Sequence, residues 1–125
     1  MVTVHIVLMA LLNAREEFFL VRRKDGNWGL AGGHEEPSDK GRKEASSREV
    51  YEEAKLAGIF GQQILFMSHE QKDACVNVYH VLLGYYYGEK PPVPLLQEIL
   101  EARWFSANEA KNCLSPKSPE RLWEL

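Results

Sequence analysis

The chain predicts a mixed α/β fold: a mixed β-sheet with helices on both faces, an α/β/α sandwich. Three observations predict it. Apolar, β-branched runs recur between short polar turns, one acidic helical segment interrupts them, and helical signals return only near the end. At 125 residues, 45% hydrophobic and 26% charged, the chain suits a single domain spanning residues 1–125 with a buried core. No linker, repeat or low-complexity tract divides it.

Each element follows from local chemistry. Residues 3–12 are β-branched and aliphatic and read as a core strand; 13–16 form a polar turn, and 17–24 a second strand that completes a hairpin. Lys24, Asp25, Gly26 and Asn27 signal a turn before Trp28. From Trp28 a short strand runs into a glycine turn at Gly32 and Gly33, whose missing Cβ atoms let backbone approach a ligand. A helix is expected from Asp39 or Arg42 to Ala57, N-capped by Ser38 or Asp39. Glu44 and Arg48 add an i, i+4 pair, and Gly58 offers the C-terminal stop.

Residues 61–68 and 75–87 read as two further strands, joined by a polar hairpin loop over 69–73. Residues 88–94 are a Pro-rich connection of the kind that carries substrate contacts or lids. Residues 102–105 form a short strand, after which Ser106 caps a helix over 107–113 and Glu109 completes a capping box. Ser118-Pro119-Glu120 starts a last helix.

Composition excludes several functions. A net charge of −3 argues against a broad nucleic-acid-binding surface, which needs a basic stripe. Cys75 and Cys113 are too few and too scattered for a disulfide scaffold or a zinc site, so a reducing cytoplasm is the simplest home. The N-terminal apolar run to Leu12 has no basic lead-in or small-residue cleavage site, and it is too short to span a bilayer. A buried strand explains it better.

The chemistry concentrates on the central helix. Glu49, Glu52 and Glu53 lie three and four residues apart and so share one helical face, beside an apolar stripe of Val50, Ala54 and Ala57. Like charges so placed repel by a few tenths of a kcal/mol per pair, on the order of 0.3. A hard divalent cation with its preference for oxygen ligands turns that repulsion into coordination. A solvated acidic face is the plainer reading of the helix alone.

The residues upstream decide between them. Gly32-Gly33-His34-Glu35-Glu36-Pro37 followed by Arg48-Glu49-Val50-Tyr51-Glu52-Glu53 and Leu56 resembles the signature of the Nudix hydrolases, a glycine and acid followed by REUxEE with U aliphatic. Arg22-Arg23 before it and residues 98–105 after it extend the resemblance over most of the chain. The departures are specific. Asp39 stands for the usual Glu, the stretch from Gly33 to Arg48 is one residue longer with the extra residue near Lys40-Gly41, Lys55 replaces a glycine and Ala31 a proline. The shorter Asp39 is expected to hold Arg48 less firmly, and Lys55 is expected to let the helix run on to Gly58.

The resemblance implies a MutT-like pyrophosphohydrolase using Mg²⁺ or Mn²⁺. By that analogy Glu49 and Glu53 are the first ligands, Glu52 joins them or holds a second ion, the Gly32 carbonyl adds a further ligand, and Glu98 a fourth acid. Arg48 would anchor the loop through Asp39 or a neighbouring carboxylate. The general base is Glu49 or Glu98, with Glu101 the weaker candidate. Arg22 and Arg23 face opposite sides of their strand, and the resemblance favours Arg23 as the phosphate contact. Trp28 would stack on a base or pack in the core, and the four histidines show no ligand spacing. The implied substrate is a nucleoside diphosphate derivative, foremost a nucleoside triphosphate cut to monophosphate and pyrophosphate. ADP-ribose or a nucleotide sugar is the alternative, as is a catalytically silent nucleotide-binding module. The sequence leaves the oligomeric state, monomer or homodimer, open.

Overall fold

The structure, a computed structural model, describes residues 1–114. The helix expected from Ser118 lies outside these residues. Strand β1 spans Val2–Leu12, β2 Phe18–Arg23, β3 Trp28–Gly29 and β4 Ala31–His34. Helix α1 follows at Arg42–Ala54, then β5 at Phe60–Lys72, β6 at Cys75–Tyr85, β7 at Ile99–Phe105 and α2 at Ala107–Cys113.

The sheet is mixed. β1 runs parallel to β6 over its full length, from Val2 opposite Cys75 to Leu12 opposite Tyr85. Its other edge is shared: Ile6 to Met9 pair antiparallel with β4, and Leu12 alone meets Phe18 of β2. β2 in turn carries β3 and β7, and β5 closes the far side by pairing with β6.

Alternation along β1 supplies both faces of the core, because successive side chains point to opposite sides of a sheet. Met9 and Leu11 join Phe19, Val21 and Leu82 against Val50 and Ala54 of α1. Leu8 and Ala10 join Leu20 and Val81 against Ala110 of α2 and Leu114 beyond it. One helix therefore covers each face, as the sequence predicts.

Several boundaries differ from the sequence reading. The polar run from His69 to Lys72 is strand, not loop: β5 and β6 pair down to Lys72 opposite Cys75, leaving a two-residue turn with Asp73 at φ 57. The parallel neighbour β1 extends β6 as far as Cys75, and the ladder outweighs local polarity. The Gly32-Gly33 pair lies inside β4 rather than in a turn. Its glycines serve close packing: a Cβ on Gly32 would sit 2.0 Å from the Val7 carbonyl oxygen of β1.

Helix α1 also differs at both ends. Gly41 holds its N-cap without a side-chain bond, because Asp39 is turned toward Arg48 and the Glu36 amide. The helix stops at Ala54 rather than running on to Ala57. Lys55 itself takes the left-handed C-cap at φ 61, its N–H donating to the Tyr51 carbonyl. A left-handed non-glycine residue costs about 1 kcal/mol, and the Lys55 ammonium 4.9 Å above the Tyr51 ring offsets part of it. The predicted capping box of α2 is present in both directions between Ser106 and Glu109.

Candidate active site

Helix α1 packs across β4, so its acidic turn faces the strand that carries the two glycines. Val50 and Ala54 are buried in the core and fix the rotation of the helix. That rotation places Glu53 and Glu49 at the sheet and leaves Glu52 exposed. The Gly32 amide donates to Glu53 Oε1 at 2.7 Å. A Cβ on Gly33 would lie 2.7 Å from Glu49 Oε2, so the second glycine makes room for that carboxylate.

A cavity of about 670 Å³ opens here. Its lining includes Glu49, Glu52, Glu53, Gly32 and Gly33, Arg23 at the end of β2, Lys24 and Asp25 of the β2–β3 turn, and Gln97 and Glu98 before β7. Arg23 reaches inward, donating to the Leu30 carbonyl at 3.0 Å and lying 3.8 Å from Glu53 Oε2. Burial pushes the Glu53 carboxyl up to about 7; Arg23 and the Gly32 amide oppose the rise, and Glu49 and Glu98 add to it. Glu49 is raised in the same way, chiefly by burial.

Arg48 ties this wall together. Its Nε and Nη2 donate to the two Asp39 oxygens at 2.9 and 3.0 Å, a bidentate fork. Nη2 also donates to the His34 carbonyl, and Nη1 lies 3.1 Å from both Glu49 Oε1 and Glu52 Oε2. The expectation that a shorter acid loosens Arg48 is overturned, because the chain comes close enough for Asp39 to make both bonds. The guanidinium, with the Glu36 amide, lowers the Asp39 pKa, and Asp39 raises Arg48 in turn.

The donor set suits a hard cation: carboxylates, a backbone strand beside them and no thiolate. The carboxylates share one cavity without closing on a point. Among the described residues no three acidic, histidine or cysteine side chains converge tightly enough to hold an ion as they stand. Arg48 Nη1 lies against both Glu49 and Glu52, while Glu53 is turned to the Gly32 amide.

Two expected contacts lie elsewhere. Arg22 points away from the cavity, donating to Glu101 at 3.0 Å, while its guanidinium lies 5.9 Å from the Trp28 ring centre. Trp28 packs edge-on against Phe105, with ring centres 4.9 Å apart, and belongs to the core on the α2 face. Strand alternation separates Arg22 from Arg23, and β7 brings Glu101 opposite Arg22. Residues 88–93 do not reach this cavity either; Val93 bonds back to the Ala54 carbonyl, and the segment lines a different cavity.

One polar cluster escaped the sequence reading. His5 Nδ1 and His80 Nε2 lie 3.0 Å apart on the parallel strands, with Arg42 Nη2 3.2 and 3.4 Å from them. Glu35 lies 3.3 Å from Arg42 Nε. His80 is buried, its Nδ1 has no partner among the described residues, and burial lowers its pKa with Arg42 and His5 adding to the effect. Seventy-five positions separate the two rings, so no local spacing announces them.

The fold agrees with comparison to known proteins. The NUDIX domain model matches residues 2–124. A MutT protein from Methanosarcina mazei is 24% identical with a TM-score of 0.75, covering 91% of this chain and 86% of its own. The E. coli dihydroneopterin triphosphate pyrophosphohydrolase is 17% identical with a TM-score of 0.76, over 94% and 89%. A C. elegans Ap4A hydrolase is 15% identical with a TM-score of 0.74, over 88% and 85%. At these identities the likeness shows a shared fold. No curated protein matches the chain. With the family model spanning nearly every residue, the chain belongs to the Nudix hydrolase family.

Proposed function

We propose that this Nudix hydrolase cleaves the diphosphate link of a nucleoside diphosphate derivative, foremost a nucleoside triphosphate to monophosphate and pyrophosphate. The observation that carries the reading is the cavity that gathers Glu49, Glu52 and Glu53 from one helix, Glu98 from the segment before β7, and Arg23 and Lys24 from the end of β2 and the turn after it. A second cation beside the acids suits a ligand with several phosphates.

Glu49, Glu53 and Glu52, with the Gly32 carbonyl, would hold Mg²⁺ or Mn²⁺. When bound, the ion neutralises phosphate charge and lowers the pKa of a water molecule. Arg48 would keep its two Asp39 bonds and release Glu49 and Glu52 for this task. Arg23 contacts a phosphate oxygen, its orientation set by the Leu30 carbonyl. Glu98 is the assigned proton acceptor: among the described residues its carboxylate has no partner, whereas Glu49 is engaged by Arg48 and Glu53 by Gly32. The cytoplasm fits two free cysteines, and no helix among the described residues is long and apolar enough to cross a membrane.

Release of pyrophosphate or phosphate, measured with Mg²⁺ across nucleoside triphosphates, ADP-ribose and nucleotide sugars, tests the reading. Turnover is expected with triphosphates, lost in Glu53→Gln and reduced in Glu98→Gln without loss of metal affinity. Nucleotide binding with no release by the wild type would instead identify a silent module.

A further inference from the structure

A second cavity, of about 720 Å³, lies beyond the C-terminal end of α1. Tyr51 follows Glu49 by two positions and precedes Glu53 by two, so it projects from the opposite side of the helix. No residue lines both cavities. The second one is therefore a separate site in space.

Its walls combine aromatic faces with ammonium groups. Tyr51, Phe60 and Tyr87 are 50%, 60% and 58% exposed, unusual for rings of this size. Phe60 and Tyr87 stack with centres 6.3 Å apart, and Tyr87 lies parallel to Tyr85 at 6.1 Å, so these rings form an ordered platform. Lys55 and Lys90 stand at the same cavity, and among the described residues neither has a carboxylate partner. Glu89 is the one acid of the lining.

Lys55 is the telling residue. It occupies a left-handed backbone conformation that glycine adopts without steric cost, and its ammonium is held over the Tyr51 ring at the cavity rim. The carbonyls ending α1 contribute about half a negative charge. Lys55 outweighs that half charge and Lys90 balances Glu89, so the site keeps about half a positive charge on a chain whose net charge is −3. A stacking surface plus cations without carboxylate partners is the chemistry that retains an aromatic base carrying phosphate.

From this we infer that the cavity between Tyr51, Phe60, Tyr87, Lys55 and Lys90 is an accessory nucleotide-binding site, distinct from the acidic cavity. The base lies on the Phe60–Tyr87 platform and the phosphates meet Lys55 and Lys90. Binding here requires no hydrolysis in the acidic cavity, and removing divalent cations separates the two sites.

The probe is ADP, titrated into the full chain in EDTA while ¹H–¹⁵N amide spectra are recorded. Saturable changes in peak position are expected at Tyr51, Lys55, Gly58 and Gly88. Combining Lys55→Gly with Lys90→Gln should weaken binding about tenfold, the loss of two charge-assisted contacts. Tyr87→Ala should weaken it as well. Lys55→Gly relieves the left-handed strain, so an unchanged or higher melting temperature shows that weaker binding is not unfolding. Adenosine and inorganic phosphate, tested singly, should each bind more weakly than ADP. Unmoved peaks in the wild type, changes confined to Glu49–Glu53 and Gly32–Gly33, or equal affinity in the lysine variant would overturn the inference.

Discussion

Replacing Glu53 by Gln should stabilise the metal-free protein while abolishing its turnover. Glu53 is 4% exposed, and burial pushes its carboxyl up to about 7 from an ordinary value of 4.5. The folded state thus binds more protons than the unfolded state between those values, and stability falls as pH rises through the window. Raising a pKa by one costs the ionised form about 1.4 kcal/mol, so ionising Glu53 costs the fold on the order of 3 kcal/mol above pH 7. Gln mimics the protonated acid and can still accept from the Gly32 amide. Its advantage in EDTA should grow from under about 1 kcal/mol at pH 5 to about 3 kcal/mol at pH 8. Urea denaturation of both proteins at several pH values measures the difference, and subtracting the two curves cancels the titrating groups remote from Glu53, leaving Glu53 with the neighbours coupled to it, Glu49 and Glu98. A divalent cation should then reverse the ranking, because only the wild type gains stability by mass action. A Gln variant no more stable than wild type at pH 8 would refute the reasoning.

Other outcomes follow from the same geometry. Gly32→Ala should cost on the order of 3 kcal/mol in denaturation, since its Cβ meets β1 backbone that cannot move. Gly33→Ala meets only the end of the Glu49 side chain; it should fold and lose about 10- to 100-fold in metal affinity, measured by calorimetry. Asp39→Asn removes one half of the Arg48 fork and should weaken metal affinity or turnover by about 10- to 100-fold while the protein melts cooperatively. The lowered pKa of His80 means the unfolded state takes up its proton first. His80 should therefore favour the fold fully above pH 6.5 and progressively less as pH falls below it, with its ring titrating below 6.5 by NMR.

Local chemistry made much of this legible. The capping box at Ser106 and Glu109 and the apolar alternation of β1 are short-range signals, and both are seen. The acids at 49, 52 and 53 share a cavity because helical spacing fixes their face once Val50 and Ala54 are buried. What escaped depends on partners distant in sequence. Cross-strand pairing with β1 decided that His69 to Lys72 would be strand, and close packing on β1 made Gly32 an extended residue rather than a turn. Strand alternation already sets Arg22 apart from Arg23, but its partner Glu101 is known only once β7 lies beside β2. Lys55 shows local preference losing to the tertiary frame, because the chain must turn at Ala54 to seat Leu56 in the core.

Paramagnetic broadening by Mn²⁺ offers the most direct check on the acidic wall as a cation site. Amide signals of Gly32, Gly33, Glu49, Glu53 and Glu98 should vanish first and together, and survive in Glu53→Gln at the same Mn²⁺ concentration. Broadening centred on any other part of the molecule, or none at all, would contradict the account.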